Sequence, residues 1–328
     1  MHTTLLMSLL LPVAHSLFAH EQPAHFTVAW WNVENFFDIR DDLNTDDEEF
    51  TPDGERHWTR RRFNAKRDGI ARTIIDMDLP DVVGFAEVEN KWVLRELCEG
   101  SPLHRAGYRY VHYDSPDHRG IDCALIYRKE RFRVTASSPI SVSDSADNFF
   151  TRDILRVEGV TPQGDTLIFL LNHWPSKRGG DEAEVYRMKV ATTLRDTMNA
   201  IHAAHPNATV IAMGDMNATA DDPAIAEGMG FGGEYTNPEG VENLFCRKAP
   251  SKGSYKYQGQ WDFIDAMFLI NGRPWKSCVT RLIHSDRLLT DEKGNVGRRP
   301  KRTYRGAHYE GGLSDHLPLM LILSDSES

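Results

Sequence analysis

The sequence is poor in the features that assign a protein to several common classes. Cysteine accounts for only 4 of the 328 residues, and no two cysteines form a C-x-x-C pair, so neither a zinc site nor a redox pair is indicated. An excess of positive charge is also missing, because the formal net charge is −10 at pH 7. This charge excludes binding of nucleic acid through a globally basic surface, since phosphate contacts need clustered lysine and arginine.

Long hydrophobic runs are missing as well. The segment Thr4–Ala19 is apolar but too short to span a bilayer comfortably, and Pro12 interrupts it. It resembles a secretory signal peptide, with cleavage expected after Ala14-His15-Ser16 or after Ala19, although no Lys or Arg precedes it. We therefore expect residues 1–19 to be a signal peptide and the protein to be secreted or periplasmic. The sequence shows no basic amphipathic helix that would anchor it stably to a membrane, and no feature that indicates a protein partner.

Apolar runs of strand length alternate with helical segments along the chain. Several runs are apolar on successive residues, which is typical of strands buried on both faces. The runs are Phe26–Val33, Val82–Val88, Cys123–Tyr127, Thr166–Asn172, Thr209–Met213, Phe263–Ile270 and Leu317–Leu323. Helical periodicity appears over Arg62–Met77 and Glu182–Ala203. Interleaved strands and helices without a dividing linker predict a single α/β domain, which we place at residues 25–325.

Seven short polar signatures stand at the ends of apolar runs. Each is common enough by itself to occur by chance. They are Trp31-Asn32-Val33-Glu34-Asn35, Phe85-Ala86-Glu87, Arg119-Gly120-Ile121-Asp122, Asn172-His173-Trp174-Pro175, Gly214-Asp215-Met216-Asn217, Asp262-Phe263-Ile264-Asp265 and Ser314-Asp315-His316. Together they place acidic, amide and histidine side chains at the ends of successive apolar runs.

These residue types suit hydrolysis of a phosphate ester. Near neutral pH that reaction needs neutralised phosphoryl oxygens, an activated water and a proton or metal ion for the leaving oxygen. Glu87 follows a buried strand and offers a hard oxygen ligand that suits Mg²⁺ or Mn²⁺. Asp215 and Asn217 are two residues apart on an extended segment, so both side chains are expected to face one phosphate.

In this order and context the seven signatures resemble the endonuclease/exonuclease/phosphatase superfamily, in its DNase-I-like branch. The resemblance covers nearly the whole chain after residue 25. It implies an α/β fold, a four-layered α/β sandwich in which two mixed β-sheets pack face to face with flanking helices outside. It also implies a phosphoester hydrolase whose cofactor is Mg²⁺ (or Mn²⁺).

The resemblance further implies roles for the acidic and amide residues. Asn32, Glu87 and Asp315 are expected to form the metal site. Asp215 is expected to orient or activate the attacking water, and Asn217 to hold a phosphate oxygen.

Two of the 14 histidines, His173 and His316, are expected to be catalytic. The resemblance implies that Asp265 orients His316, with the nearby Asp262 as the alternative partner. His173 is expected to pair with Asp122. A carboxylate on an imidazole fixes its tautomer and stabilises its charged form.

Arginine supplies the candidate substrate contacts. Arg152 resembles the family's phosphate-contacting arginine, and its alternative interpretation is a structural residue paired with Asp153. Arg299 and Arg302 lie in a basic loop with aromatic residues that leads into the last signature, where an extended polyanion could be held by phosphate contacts and stacking. A second basic cluster, Arg60–Arg67, fits a solvated helix face equally well.

The favoured function is therefore a metal-dependent phosphodiesterase acting on nucleic acid, as an endonuclease or exonuclease. A phosphomonoesterase or a sphingomyelinase-like lipid phosphodiesterase on the same scaffold is the alternative, because fold and site do not fix the leaving group. A binding protein that has kept the scaffold without catalysis is disfavoured by the complete set of acid, amide and histidine positions.

Overall fold

The computed structural model describes residues 25–143, 149–232, 240–244, 253–272, 275–292, 294 and 297–325. The expected signal peptide, residues 1–19, lies outside this part of the chain. Within the described residues, no helix is both long and apolar enough to cross a bilayer.

The described residues form eighteen β-strands and three α-helices, besides short 3-10 and π turns. The strands are β1 (His25–Phe36), β2 (Val82–Val88), β3 (Tyr108–His112), β4 (Asp122–Arg128), β5 (Arg133–Ile140), β6 (Ile154–Val160), β7 (Thr166–His173), β8 (Thr209–Asp215), β9 (Glu242–Asn243), β10 (Tyr255–Tyr257), β11 (Gln260–Asp262), β12 (Asp265–Ile270), β13 (Ser277–Leu282), β14 (Leu289–Asp291), β15 (Arg298–Pro300), β16 (Tyr304–Arg305), β17 (His308–Tyr309) and β18 (Leu319–Ser324). The helices are α1 (Arg60–Asp76), α2 (Lys91–Glu99) and α3 (Gly180–Ala204). Every predicted strand and helix overlaps one of these elements.

Two six-stranded mixed sheets make up the centre of the fold. The first has the order β13-β18-β1-β2-β4-β3, and the second has the order β5-β6-β7-β8-β12-β9. In each sheet one pair of strands is parallel, β1 with β2 and β7 with β8, and the other neighbours are antiparallel. Three two-stranded hairpins lie outside the sheets, β10-β11, β14-β15 and β16-β17.

Three apolar clusters define four layers. The central cluster joins the inner faces of both sheets, with Trp30 and Leu125 from the first and Phe169 and Met213 from the second. A second cluster lies between the first sheet and helices α1 and α2. A third lies between the second sheet and α3. Alternate strand residues thus face the other sheet or a helix, which confirms the predicted four-layered α/β sandwich.

The two sheets pack closely against each other at Gly84, near the expected site. A Cβ atom on Gly84 would lie 2.7 Å from Cε of Met213 and 2.9 Å from Cδ2 of Leu171. Glycine at this position of β2 therefore lets the second sheet pack directly against the first. Glu87 follows three residues later on the same strand.

Helix α1 starts where its sequence provides a cap. The side chain of Thr59 accepts a hydrogen bond from the backbone N–H of Arg62, which satisfies one of the free donors of the first turn. Phe63, Ile70 and Ile74 then recur at helical spacing and are buried against the first sheet. This places α1 directly behind the end of β1.

Candidate active site

The predicted site residues converge where strands of both sheets end. β1 and β2 are parallel, with Asn32 beside Ala86, and Glu87 follows directly. β7 and β8 are also parallel and place His173 beside Asp215. Because the carboxyl ends of parallel strands meet at the same edge of a sheet, these polar side chains collect at one end of the sandwich.

Two antiparallel strands bring further residues to this end. β12 begins at Asp265, which lies opposite Asp215 of β8. His316 lies just before β18, whose Leu319 pairs with Trp30 of β1. The site is therefore assembled from six strands of two sheets, which gives it a rigid frame.

Asp265 is the carboxylate that is hydrogen-bonded to the imidazole of His316. Oδ2 of Asp265 and Nδ1 of His316 are 2.7 Å apart, and both residues are buried. The same carboxylate accepts hydrogen bonds from Nε1 of Trp30 at 2.9 Å and from Oγ of Ser254 at 2.6 Å. Asp265 is thus held from three sides, fixes the proton on Nδ1 and leaves Nε2 facing the site. The alternative partner, Asp262, is only half-buried and lies at the end of β11.

The charge of His316 is set by the carboxylates around it. Burial disfavours the imidazolium, but Asp265, Asp215 and Asp315 together raise the pKa of His316 well above its usual 6.5. Its Nε2 lies 3.6 Å from Oδ2 of Asp215 and 3.8 Å from Oδ1 of Asp315. At neutral pH the site therefore contains a fixed positive donor.

Asp215 is oriented through both of its oxygens. Oδ1 accepts from the backbone N–H of Asn217 and Oδ2 from Nδ2 of Asn32, each at 3.0 Å. Burial, opposed by the charge of His316, raises the pKa of Asp215 to about 7. A carboxylate with this pKa can accept a proton near neutral pH and release it again. The amide of Asn217 is fixed beside it by a hydrogen bond of 3.0 Å to the carbonyl of Trp174.

Glu87 is turned out of its strand into the site. Its backbone has a φ of 63°, in the left-handed region, and the register of β2 with β4 shifts between Phe85 and Val88. Oε2 accepts from the N–H of Asn35 at 2.8 Å and Oε1 from Nδ2 of Asn32 at 3.2 Å. Two donors on different oxygens fix the direction of this carboxylate.

The oxygen donors at this end of the sandwich fit Mg²⁺ or Mn²⁺. Glu87, Asp215 and Asp315 offer carboxylates, which are the hard ligands that these ions prefer. Asp265 is also close by, but its two oxygens already take three hydrogen bonds. In this geometry the Asp265 carboxylate is occupied by His316, Trp30 and Ser254.

Asn32 and Asp315 relate to this metal site in different ways. Oδ1 of Asn32 accepts from the N–H of Glu34 at 2.9 Å, while its Nδ2 lies between Glu87 and Asp215. In this orientation the side-chain amide of Asn32 lies between the carboxylates of Glu87 and Asp215 and donates a hydrogen bond to each. Oδ2 of Asp315 accepts from Arg302 at 2.6 Å, and its Oδ1 faces the site.

His173 is neutral, in contrast to His316. Burial and the positive charge of Arg152 lower the pKa of His173 well below 6.5. Its Nε2 lies 3.7 Å from Oδ2 of Asp215 and 3.8 Å from Oε1 of Glu87. Its buried Nδ1 has no hydrogen-bond partner among the described residues. His173 can therefore donate or accept a hydrogen bond in the site, but it supplies no charge there.

The structure does not bring Asp122 to His173 as the sequence led us to expect. Asp122 accepts a hydrogen bond from Oγ of Ser115 and lies 3.7 Å from Nε2 of His112. The reason is that β4 starts beside β2, with Asp122 opposite Val88, and its side chain turns toward β3. Burial raises the pKa of Asp122 to about 7.

Arg152 supports the backbone around His173. Its guanidinium donates to Oδ2 of Asp117 at 2.7 Å and to the carbonyls of His173 and Trp174 at 3.2 and 2.8 Å. The residue is buried, so its donors are used within the protein. The geometry favours the structural interpretation over direct phosphate contact, with Asp117 as the partner in place of Asp153.

The basic loop before Ser314 is largely neutralised by ion pairs. Arg299 forms two hydrogen bonds with Glu310, at 2.6 and 2.9 Å. Arg302 is paired with Asp315 and also donates to the hydroxyl of Tyr255 at 3.2 Å. Of the two arginines of this loop that were predicted to bind substrate, the structure therefore places Arg302 at the site, whereas Arg299 is paired with a carboxylate of its own loop.

Two buried charged residues beside the site were not recognised from the sequence as a pair. Lys66, expected in a basic surface cluster, is 2% exposed, and Glu34 is 8% exposed. Burial and the neighbouring Asp315 raise the pKa of Glu34 to about 8, while burial lowers the pKa of Lys66 to about 8. The helical spacing of Lys66 from Phe63 and Ile70 is the signal that indicates its burial.

Comparison with known proteins supports the fold. The profile of the Endonuclease/Exonuclease/phosphatase family matches residues 27–325. D. rerio TDP2 complexed with a single-strand DNA product is 18% identical, with 91% of this chain and 98% of that chain covered and a TM-score of 0.56. The human Nocturnin catalytic domain with a bound sulfate anion is 14% identical, with 92% and 94% covered and a TM-score of 0.57.

A bacterial structure is similar over the same extent. The endonuclease/exonuclease/phosphatase family protein from Bacteroides thetaiotaomicron is 15% identical, with 94% of this chain and 100% of that chain covered and a TM-score of 0.57. No curated protein sequence gave a significant match. The fold and the convergent acids and histidines define a DNase-I-like hydrolase. The chain belongs to the endonuclease/exonuclease/phosphatase family.

Proposed function

We propose that the protein is a divalent-metal-dependent phosphodiesterase that cleaves nucleic acid. The observation that carries this proposal is the convergence of Asp215, His316 and Glu87 on one point. They combine a carboxylate with a pKa of about 7, an imidazolium and a hard metal ligand. These are the three requirements of phosphoester hydrolysis near neutral pH.

In the proposed reaction Asp215 takes the proton of the attacking water. The water oxygen forms the new bond to phosphorus, its proton passes to the carboxylate, and the leaving oxygen departs with the electrons of the bond that breaks. His316, whose Nε2 is 3.6 Å from Oδ2 of Asp215, stabilises the negative charge that develops on the phosphoryl oxygens. Asn217, which follows Asp215 by two residues, would add a neutral donor to a phosphate oxygen through its side-chain amide.

Glu87 is the residue that would hold the metal ion, together with Asp315. When bound, Mg²⁺ or Mn²⁺ supplies positive charge to the phosphoryl and leaving oxygens. Asn32 and the N–H of Asn35 keep the Glu87 carboxylate in one direction. This fixed direction suits Mg²⁺, which demands regular geometry.

Two observations support nucleic acid as the substrate. One is the similarity to D. rerio TDP2 complexed with a single-strand DNA product. The other is an aromatic surface that begins at the catalytic histidine. The ring of Tyr255 lies 5.0 Å from that of His316, and Tyr257, on the same face of β10, is 59% exposed. Bases stack on such surfaces, and the guanidinium of Arg302 lies 5.9 Å from the centre of the Tyr255 ring.

Turnover of purified protein on single-stranded DNA, duplex DNA, RNA and sphingomyelin tests this proposal. We expect a polynucleotide to be shortened in Mg²⁺ or Mn²⁺, excess EDTA to abolish the reaction, and added metal to restore it. Activity should fall as salt rises, because phosphate contacts release counterions. Asp215→Asn is the matched inactive control. Full activity in EDTA, or release of inorganic phosphate without shortening, would contradict the proposal.

We also propose that the protein is exported, on the basis of the apolar segment Thr4–Ala19. Expression of the full chain in a bacterial host should give a processed protein in the periplasm or medium. Its first residue should be Leu17 or His20, according to which of the two cleavage positions is used. N-terminal sequencing checks this, and an uncleaved chain retained in the cytoplasm would argue against export.

A further inference from the structure

Lys66 is a buried cation that the proposed mechanism does not use. It lies in the middle of α1 and is 2% exposed. Lysine is almost never fully buried unless its charge is paired and its donors are satisfied. Its hydrogen bonds lead to the end of β1 and to the loop before Ser314. The residue therefore links the helix layer to the site.

The first link passes through a single peptide group. Nζ of Lys66 donates a hydrogen bond to the carbonyl oxygen of Glu34. The N–H of the same peptide group belongs to Asn35, and it donates to Oε2 of Glu87 at 2.8 Å. An ammonium and a carboxylate thus hold opposite ends of one peptide plane. A cation at the carbonyl polarises the amide, which strengthens its N–H as a donor to the carboxylate.

The turn that contains this peptide depends on being held. Glu34 and Asn35 have φ values of 46° and 53°, so two successive residues that are not glycine are left-handed. Such conformations persist where the surroundings fix them, and they cluster at functional sites. Lys66 fixes the carbonyl of the turn, and Oδ1 of Asn32 fixes the N–H of Glu34 at 2.9 Å.

The second link reaches the loop that carries Asp315. Nζ of Lys66 donates to Oγ1 of Thr303 at 2.6 Å, and the N–H of Thr303 donates to Oε2 of Glu34 at 2.7 Å. The preceding residue, Arg302, is paired with Asp315. One ammonium therefore joins the turn that directs Glu87 to the loop that directs Asp315.

We propose that Lys66 is a positioning residue for the metal site, which sets the direction of the Glu87 carboxylate through the peptide between Glu34 and Asn35. It also ties this turn to the loop that carries Asp315. The inference rests on the metal-dependent function proposed above. Binding of Mn²⁺, measured apart from turnover, tests it separately from the choice of substrate.

Lys66→Met tests the role, because it keeps the length of the side chain and removes the ammonium. We expect the affinity for Mn²⁺, measured by electron paramagnetic resonance of the free ion, to fall by about tenfold or more. The same change added to Glu87→Gln should lower the affinity by less than it does in the wild-type protein, since Lys66 acts in part through the Glu87 carboxylate. Thr73→Val is the matched control. Thr73 is buried in the same helix, and the change removes a hydrogen bond to the carbonyl of Gly69.

The control should lower the melting temperature without changing Mn²⁺ affinity. Wild-type affinity in Lys66→Met, or an equal loss in Thr73→Val, would overturn the positioning role. If Lys66→Met does not fold, Thr303→Ala removes one of its two acceptors and should still weaken Mn²⁺ binding; unchanged binding there would overturn the role as well. If wild-type protein binds Mn²⁺ but cleaves no nucleic acid, only the proposed substrate is contradicted. If it binds no Mn²⁺, both the metal-dependent function and the positioning role of Lys66 are contradicted.

Discussion

His316→Ala is expected to lower kcat by about a thousandfold, and Asp265→Ala added to it is expected to cost little more. The reason is that Asp265 acts through the imidazole, to which it is bound at 2.7 Å. Asp265→Ala alone should also be severe, because it removes the nearest carboxylate from a buried imidazolium and frees the ring to change tautomer. Steady-state kinetics of the two single variants and the double variant measure the coupling.

His284→Ala provides the control for His316, since His284 is exposed. It should leave kcat unchanged. If the losses from His316→Ala and Asp265→Ala multiply fully in the double variant, the two residues act independently, and Asp265 has another role. Ser254→Ala, which removes one donor to the same carboxylate, should give a smaller loss in the same direction.

Seven of the twelve strands in the two large sheets, and the polar residues that gather where those strands end, were predictable from the sequence because both leave local signals. Buried strands such as β2 and β8 are apolar at successive positions, and a polar signature follows each of them. The edge strand β5 gives no such signal, because all of its residues are partly or fully exposed and Pro139 interrupts the pattern. Helix α2 was also missed, since nine residues with four buried give only a short periodicity.

Partnerships between distant residues were harder to predict than the residues themselves. Asp262 and Asp265 are too close in sequence to be separated by position, and only the start of β12 shows which of them is buried beside His316. The prediction that His173 pairs with Asp122 was wrong, because the order of residues does not show which way a side chain points at the end of a strand. Ion pairs such as Arg299 with Glu310 depend on a hairpin that no hydrophobic pattern marks.

The burial of Lys66 was not predicted from the sequence. Charge alone placed it in a basic cluster, whereas helical spacing puts it on the buried face with Phe63 and Ile70. For predicting burial, helical periodicity should outweigh charge where the two disagree. A single buried lysine can be satisfied by two acceptors, as Lys66 is by Glu34 and Thr303, whereas turning the helix would expose its whole apolar face.

Glu87→Gln is expected to lower kcat by more than about a hundredfold at the metal concentration that saturates the wild-type protein. Two physical effects add here. The substitution removes the negative charge that draws the divalent ion, and it replaces one of two oxygens that accept from Asn35 and Asn32, so one N–H now faces an NH₂ group. The remaining oxygen is still a hard ligand, so a large excess of Mn²⁺ should restore part of the activity. Glu130→Gln, on an exposed side chain, should change neither kcat nor the metal requirement. Wild-type kcat at the wild-type metal concentration in Glu87→Gln would mean that this carboxylate does not hold the ion, and Asp315 would then become the leading candidate for the metal ligand.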